Sequence, residues 1–491
     1  MAKALFVRAH APYSRWQVMA TSPMGLMYLS AMLRRNGHET KIIDGVIDPH
    51  WMDHLQNLVS TWRPDVVGFS LLSLDIDSVA ESVRRLRESS VDALLVGGGP
   101  GAAFADEKQR EYLDLDAIVR GEGEFALPEM IQAHRQGGGL RGVAGLWVKA
   151  ETAYVDTGPR PEIADLDALP LPDRETVDLP RYFGKPSMDL MWRHPRWASI
   201  LTSRSCPFNC SFCAHAMGRG YRTRSAENVM REIDWLVDRY GIGELQIIDD
   251  LFNLDRERTA AICHELLDRP YKLHLVFPNG LRLDHLDNEL IRLMRRAGFD
   301  RLLAPIETAS PRLQKAVGKN LNIDKALAAI REMYRLGVFV RVTTMLGFLT
   351  ETYEEMKHTY RTAFSVPAQW VSINQVMPLP GSQLARDFDA EVANGDWRYV
   401  NFVRTTINLS TVPLRKINRL KRKVLYRMLL PHRIYRLLRD LPRNNLAFYV
   451  KIFLLKLFQH TVVKHPAKKL DGRSVAPPQP IALAADRRRA R

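Results

Sequence analysis

Ser205-Cys206-Pro207-Phe208-Asn209-Cys210-Ser211-Phe212-Cys213 places three of the chain's four cysteines within eight positions. Thiols this close, on a loop that follows the strand-like run 198–202, are spaced to meet at a metal centre rather than to pair in a disulfide framework. Soft thiolates suit zinc or an iron–sulfur cluster. Zinc sites usually add a second Cys pair or histidines at set spacings. No second pair is present, but His215 could be a fourth ligand, so zinc stays open at this point. Iron–sulfur clusters normally take four cysteines; three would leave one iron free to bind another molecule. Cys263 stands alone on a helical, apolar pattern and reads as a core residue.

Outward from this loop, residues 198–375 alternate in a regular way. Strand-like runs fall at 198–202, 244–248, 273–277, 301–306, 339–345 and 370–375. Helical patterns fall between them at 225–240, 256–267, 287–297, 323–336 and 353–364, several stopped by a glycine (Gly241, Gly298, Gly337). Six βα units predict a partial (β/α)6 barrel, with its active site at the C-terminal ends of the strands. Residues 1–150 show a second alternating series. Strands are expected at 4–7, 40–43, 66–70, 93–96 and 117–119, with helices among them at 24–36 and 77–88. That pattern predicts a doubly wound, Rossmann-like parallel sheet, whose ligands sit beyond the carboxyl ends of its strands. Residues 151–195, rich in Pro and Asp, read as a linker, so the chain divides into 1–150, 151–195, 196–410, a basic helical extension 411–465 and a disordered tail 466–491.

The 491 residues are 46% hydrophobic and 25% charged, an ordinary globular composition that excludes collagenous, mucin-like and largely disordered classes. The net charge of +15 is not spread evenly: residues 411–491 hold 21 of the 70 Lys and Arg but only 3 of the 55 Asp and Glu, leaving a body of net charge −3. An acidic partner, if any, should meet the extension. The opening run is broken by Arg8 and His10 and reads as a first strand rather than a secretory signal. No uninterrupted apolar stretch is long enough to span a bilayer, and a cytoplasmic location is expected.

The C-x3-C-x2-C loop, with Phe212 before the last Cys and a partial βα barrel behind it, resembles the radical S-adenosylmethionine (SAM) enzymes. Further segments carry the likeness: Gln246-Ile-Ile-Asp249-Asp250, Ala304-Pro-Ile-Glu307-Thr-Ala-Ser310, Met345-Leu-Gly347-Phe-Leu-Thr-Glu351 and Pro378-Leu-Pro-Gly-Ser382. The N-terminal segments Gly68-Phe-Ser70, Val96-Gly97-Gly98-Gly99-Pro100 and Val119-Arg-Gly121-Glu122-Gly-Glu124 resemble the cobalamin-binding domain of one large subclass. The resemblance implies three cofactors: a [4Fe-4S] cluster on Cys206, Cys210 and Cys213; SAM near Phe212, Asp249, Asp250, Glu307 and Gly347; and cobalamin near Ser70, Leu72, Ser73, Gly97, Gly98, Gly99, Gly121 and Glu122. Within it, Asp249 or Asp250 would meet the SAM amino group and Glu307 the nucleoside. Departures are also present. Ala304-Pro305 precedes Ile306, Leu349-Thr350 replaces the usual Pro-Gly, and no D-x-H-x-x-G motif supplies a His to cobalt.

The resemblance implies a radical enzyme, with methylation of an unactivated carbon in a lipid, isoprenoid or secondary metabolite as the leading expectation. A non-methylating cyclase on a tetrapyrrole or hopanoid-like molecule is the alternative, and a tRNA-modifying or nucleic-acid-binding protein a third. An external electron donor of flavodoxin or ferredoxin type is implied. The apolar, lysine-punctuated run 446–458 is expected to touch a membrane surface or to pack on the barrel. Nucleic acid is not expected as a partner, since no recognition motif accompanies the basic residues. Pro431 should divide the helical pattern 425–438.

Overall fold

The structure is a computed structural model of the chain and describes residues 1–10, 20–72, 75–151, 153–189, 191–387 and 408–441. The expected strands of the N-terminal part form a sheet of order β2-β1-β3-β4-β5-β6-β7. Its members are β1 (Lys3–Arg8), β2 (Glu39–Asp44), β3 (Val66–Ser70), β4 (Leu94–Gly98), β5 (Ala117–Val119), β6 (Leu146–Lys149) and β7 (Tyr154–Asp156). The first five run parallel. Helices α1 (Met24–Arg35), α2 (Trp51–Trp62), α3 (Ile76–Glu88), α4 (Glu107–Leu113) and α5 (Ala126–Arg135) alternate with them. One core packs around Leu5, Leu55, Val67 and Leu95, and another around Phe6, Leu33, Val96 and Met130. Strand order reverses beside β1, because β2 lies on one side and β3 on the other. That is where a ligand crevice opens in such sheets.

Helices α2 and α4 and the far edge of the sheet lie outside the expected pattern. Helix α2 buries Trp51, Leu55 and Val59, a four-residue repeat that the two bounding strands obscure in the sequence. The sheet is also not wholly parallel: β6 and β7 add an antiparallel pair at its edge, so it runs on to Asp156. Residues 157–189 then lie against the body, where Ile163, Leu166 and Leu169 cover Met32, and Asp173 accepts a hydrogen bond from Ser30 at 2.7 Å.

The second sheet has the order β15-β14-β13-β12-β11-β8, entirely parallel. Its strands are β8 (Trp197–Ile200), β11 (Glu244–Ile247), β12 (His274–Phe277), β13 (Phe299–Glu307), β14 (Phe339–Leu346) and β15 (Trp370–Gln375). A short antiparallel ribbon of β9 (Ser203–Arg204) and β10 (Arg222–Thr223) frames the cysteine loop. Among the described residues the two end strands do not pair, so this is the open six-stranded barrel that the spacing predicts. Between its strands stand α6 (Ala226–Tyr240), α7 (Arg256–Leu267), α8 (Asn288–Arg296), α9 (Pro311–Ala316), α10 (Ile323–Arg335) and α11 (Tyr353–Ala363), followed by the short α12 (Gln383–Asp387). Their starts are fixed by side-chain caps: Ser225, Asp255, Asp287, Asn322 and Thr352 each accept an N–H of the first turn.

Helix α13 (Leu414–Met428) lies against β15 and α11 through Ile417, Leu420, Val424 and Met428. Pro431 opens α14 (Pro431–Asp440), which is the division expected there. The run 446–458 and the tail 466–491 lie outside the described residues. Among the described residues no helix is long and apolar enough to cross a membrane.

Side chains of β11, β13 and β14 meet across the bottom of the barrel. Arg301 is fully buried and donates to Asp189 at 2.8 Å, Glu244 at 2.6 Å and Asp300 at 2.6 Å. Arg341 also reaches Asp189. Removing the shared cation leaves Glu244 buried without its ion-pair partner and weakens the pairing of Asp189 and Asp300. Arg301→Ala is therefore expected to cost about 3–5 kcal/mol, measured by chemical denaturation; a loss below 1 kcal/mol would contradict this role.

Candidate functional site

Arg204 stands two residues before Cys206 and joins the two halves of the molecule. Its guanidinium donates to Glu122 at 2.6 Å and to Glu124 at 2.6 Å, both in the turn after β5. Arg222, across the β9–β10 ribbon, donates to the second oxygen of Glu122 at 2.6 Å. The Ile163 N–H adds a bond at 2.7 Å. All four charged side chains are more than nine-tenths buried. Burial pushes the Glu122 carboxyl up, but Arg204 and the donated hydrogen bonds more than offset it, so its pKa lies below the usual range. Burial likewise opposes the charge on Arg204, and Glu124 and Glu122 outweigh it. The turn that follows β5 is thus tied through buried charge to the loop that carries the cysteines.

That loop is braced on its other side by the α9–α10 connection. The Ser211 N–H donates to the Val317 carbonyl at 2.8 Å, and the Leu384 N–H to the Ser211 carbonyl at 2.7 Å. A Cβ on Gly318 would lie 2.5 Å from the Asn209 carbonyl oxygen, so only glycine allows this approach. Burial raises all three thiol pKa values, that of Cys213 to about 12. The charges of Arg282 and Lys319 act against this at Cys206 and Cys210. Arg282 stacks on Phe208 at 4.1 Å and is held by Asp284 at 2.7 Å. Among the described residues no three His, Cys, Asp or Glu converge closely enough to hold a single metal ion, as zinc would require. A four-iron cluster asks for less convergence, because each thiolate takes its own iron.

The residues expected around SAM are distributed unevenly. The Asp249 carboxylate is buried and occupied: it accepts the Thr202 N–H and hydroxyl at 2.6 Å and the Ser203 hydroxyl at 2.7 Å, so it holds the end of β8. Asp250 keeps part of its surface in solvent, but the protein crowded around its carboxyl and the neighbouring Asp249 charge raise its pKa. Its charge also acts on Cys206 and Cys213. Glu307 ends β13 in the left-handed region at φ +64°, a strained setting for a non-glycine residue, and pairs with Lys319 at 3.2 Å. Phe212 lies 5.8 Å from Phe348 between ring centroids. Gly347, at φ +97°, donates its N–H to Glu351 at 2.6 Å. The sequence reading misses Arg204, Lys319, Arg282 and Arg222. Only Arg204 and Arg222 carried a signal, as charges flanking the cysteine loop.

Ser70, Leu72, Gly97, Gly98, Gly99, Gly121 and Glu122 all line one mostly apolar cleft, together with Phe6, Arg8 and Gly68. Ser73 lies outside the described residues. The glycines are not equivalent. A Cβ on Gly97 would lie 2.6 Å from Leu115 and 2.8 Å from Leu71, so core packing alone requires that glycine. A Cβ on Gly121 would meet nothing within 4 Å, and one on Gly98 only Val119 at 3.7 Å, which leaves a backbone cradle open to the cleft. Glu122, with both oxygens taken by arginines, serves the cleft wall through its clamp rather than as a free ligand group. The opposite wall comes from the barrel mouth: Leu201, Arg204, Met217 and Ile248. The cleft is therefore shared between the N-terminal sheet and the barrel.

Comparison with known proteins agrees with this arrangement. The sequence profile of the radical SAM superfamily matches residues 200–363, and that of the B12 binding domain matches residues 19–131. An uncharacterised methyltransferase of Pyrococcus horikoshii is 28% identical over 414 residues, covering 82% of this chain and 86% of the relative. The anaerobic magnesium-protoporphyrin IX monomethyl ester cyclase of Cereibacter sphaeroides is 26% identical over 389 residues, which are 78% of this chain and 62% of the cyclase. Among solved structures, the radical SAM methyltransferase TsrM of Kitasatospora setae, with cobalamin and a [4Fe-4S] cluster bound, aligns with a TM-score of 0.66 at 20% identity over 79% of this chain and 77% of its own. That likeness is one of fold.

Two outcomes follow from the geometry. Arg204→Met should open the Glu122–Arg204 junction, so amide hydrogen exchange should rise together at 121–125 and 203–206; a rise on one side alone would contradict a shared clamp. Burial pushes the Glu351 carboxyl up to about 7 from 4.5. Between those values the folded protein holds a proton that the unfolded chain releases, so stability falls as pH rises through this window, by up to about 1.4 kcal/mol per unit. Glu351→Gln should remove that slope in denaturation curves between pH 5 and 7; an unchanged slope would contradict it.

Proposed function

We propose that this chain, which belongs to the B12-binding radical SAM enzymes, transfers a methyl group to an unactivated carbon of a lipid, isoprenoid or secondary metabolite. It is a radical SAM enzyme whose cofactors are a [4Fe-4S] cluster, SAM and cobalamin. When bound, these supply a 5′-deoxyadenosyl radical and a transferable methyl group. The single observation that carries the methylation reading is the shared cleft: its glycine cradle belongs to the N-terminal sheet and its opposite wall to the barrel mouth beside the cysteine loop.

In this reading the chain's residues divide the work. Cys206, Cys210 and Cys213 hold the cluster, and Arg282 and Lys319 balance the charge of three thiolates. Metal binding takes these thiols as thiolates and releases their protons. Asp250, rather than the occupied Asp249, receives the SAM amino group. Phe212 lies against the adenine, with Glu307 and the Gly347 turn beside the nucleoside. Gly98, Gly99 and Gly121 let cobalamin approach the backbone, while Ser70 and Leu72 line its rim. Leu201, Met217 and Ile248 give the chamber an apolar wall that excludes water from a reactive radical.

The relatives named as cyclases support a second reading, a ring-forming reaction without methyl transfer. An external flavodoxin- or ferredoxin-type donor supplies the reducing electron in either case. The basic helices α13 and α14 expose Tyr426, Tyr435 and Leu438, in keeping with an anionic lipid surface beside them.

The test uses protein made with iron, sulfide and cobalamin and purified without oxygen. About four irons and one cobalt per chain are expected. With SAM and a strong reductant, both 5′-deoxyadenosine and S-adenosylhomocysteine should form. Deoxyadenosine without S-adenosylhomocysteine would favour the cyclase reading, and zinc with no nucleoside product would overturn both.

A further inference from the structure

A cluster of arginines lies outside the barrel, at the end remote from the cysteine loop. Helices α13 and α14 together hold ten Lys and Arg and one acidic residue, Asp440. Asp440 is occupied: Arg439 donates to it at 2.6 Å and Gln369, just before β15, at 2.9 Å. Phe364 caps the C-terminus of α11 and meets two of the cations. The guanidinium carbons of Arg427 and Arg433 lie 4.6 and 4.7 Å from the centre of its ring. Arg427 also reaches Tyr360 at 5.7 Å. Arg436, three residues after Arg433 on α14, adds a third positive charge that acts on Arg433.

Arg433 is 6% exposed, and its Nε and Nη1 are enclosed with no hydrogen-bond partner. Phe364 offers the cation a ring face but no acceptor for these N–H groups. Burial, and then the charges of Arg427 and Arg436, push the Arg433 pKa down. Among the described residues no carboxylate pairs with any of the three arginines. The acids of α11, Glu354 and Glu355, stand in its first turn, roughly 14 Å along the axis from Phe364. Helix ends balance little of the charge. The C-termini of α11 and α13 add about half a negative charge each, and the N-terminus of α14, where Leu430 has no capping side chain, opposes them with about half a positive one. Against three guanidiniums this leaves an excess of about two and a half positive charges. A buried cation in that state is costly unless an anion joins it.

We propose that Arg427, Arg433 and Arg436 form a binding site for a phosphate monoester, carried by a soluble molecule or by a lipid headgroup. Such a group brings nearly two negative charges and three acceptor oxygens, which match both the excess charge and the unmet N–H groups. The site is open from outside. Arg427 and Arg436 keep part of their surface in solvent, and the Nη2 of Arg433 is not enclosed as its other two nitrogens are. It is separate from the cysteine loop and the cleft, and does not depend on the reaction read there. It goes beyond a general attraction of basic helices to an anionic surface, because it assigns one ligand group to three named side chains.

The test titrates the cofactor-loaded, full-length protein with inorganic phosphate at constant ionic strength and follows the melting temperature. A ligand that binds only the folded state raises it. The wild type should gain several degrees more than Arg433→Met. Without phosphate Arg433→Met should melt no lower than the wild type, because it removes an unpaired buried charge. Arg436→Gln changes a half-exposed position, leaves the core intact and should weaken phosphate affinity several-fold. Vesicles of phosphatidylcholine with and without phosphatidic acid then separate the two sources. Retention of the wild type through phosphatidic acid, lost in both variants, assigns a lipid headgroup. Equal behaviour on both vesicles, with free phosphate bound, assigns a soluble ester. The same response to phosphate in the wild type and both variants, no response in any of them, or a lower melting temperature for phosphate-free Arg433→Met would overturn the proposal.

Discussion

Arg204 holds two carboxylates from another domain at 2.6 Å each, with its side chain almost wholly out of water. Desolvating such a group is expensive, and the cost is offset only when both partners are present and well aligned. The arrangement therefore has one good geometry. Because Arg204 is two residues from the first cysteine, and Glu122 directly follows Gly121, the glycine that leaves the cleft open, the clamp sets the cysteine loop against the glycine cradle. A pair of domains joined by a flexible linker would hold two cofactors at a variable separation. Here the intervening chain is itself packed down, through Asp173 on Ser30 and Arg174 on Glu232.

Below that junction the barrel is layered by polarity. Its bottom is a closed ionic network around Arg301, and its mouth is apolar at Leu201 and Ile248. Each layer follows from strand alternation, which lets a single strand contribute one residue to every level.

Most of the fold was legible in the sequence because its strands are short, apolar and separated by helices whose caps are explicit, such as Ser225 and Thr352. Helix α2 escaped because its apolar face is only three residues deep, and the β6–β7 edge because antiparallel additions leave no signal in a βα count. At the site, the cysteine triad and the glycines were legible as local motifs, whereas their roles were not. Gly97 proved to be a packing glycine, Asp249 a brace for β8, and Glu122 half of a clamp. Each of these roles depends on a partner distant in sequence: Leu115 for Gly97 in packing, Thr202 for Asp249, and Arg204 for Glu122. Such pairings are visible only once the chain is folded.

The central claim is that one rigid junction fixes cobalamin and the iron–sulfur cluster in a single chamber. The most direct measurement is the magnetic interaction between cob(II)alamin and the reduced cluster in the loaded protein, read by pulsed electron paramagnetic resonance. A single narrow distance distribution, unchanged between frozen samples prepared with and without SAM, is the result this account requires. A broad or two-population distribution would mean that the two sites move independently, and would contradict it.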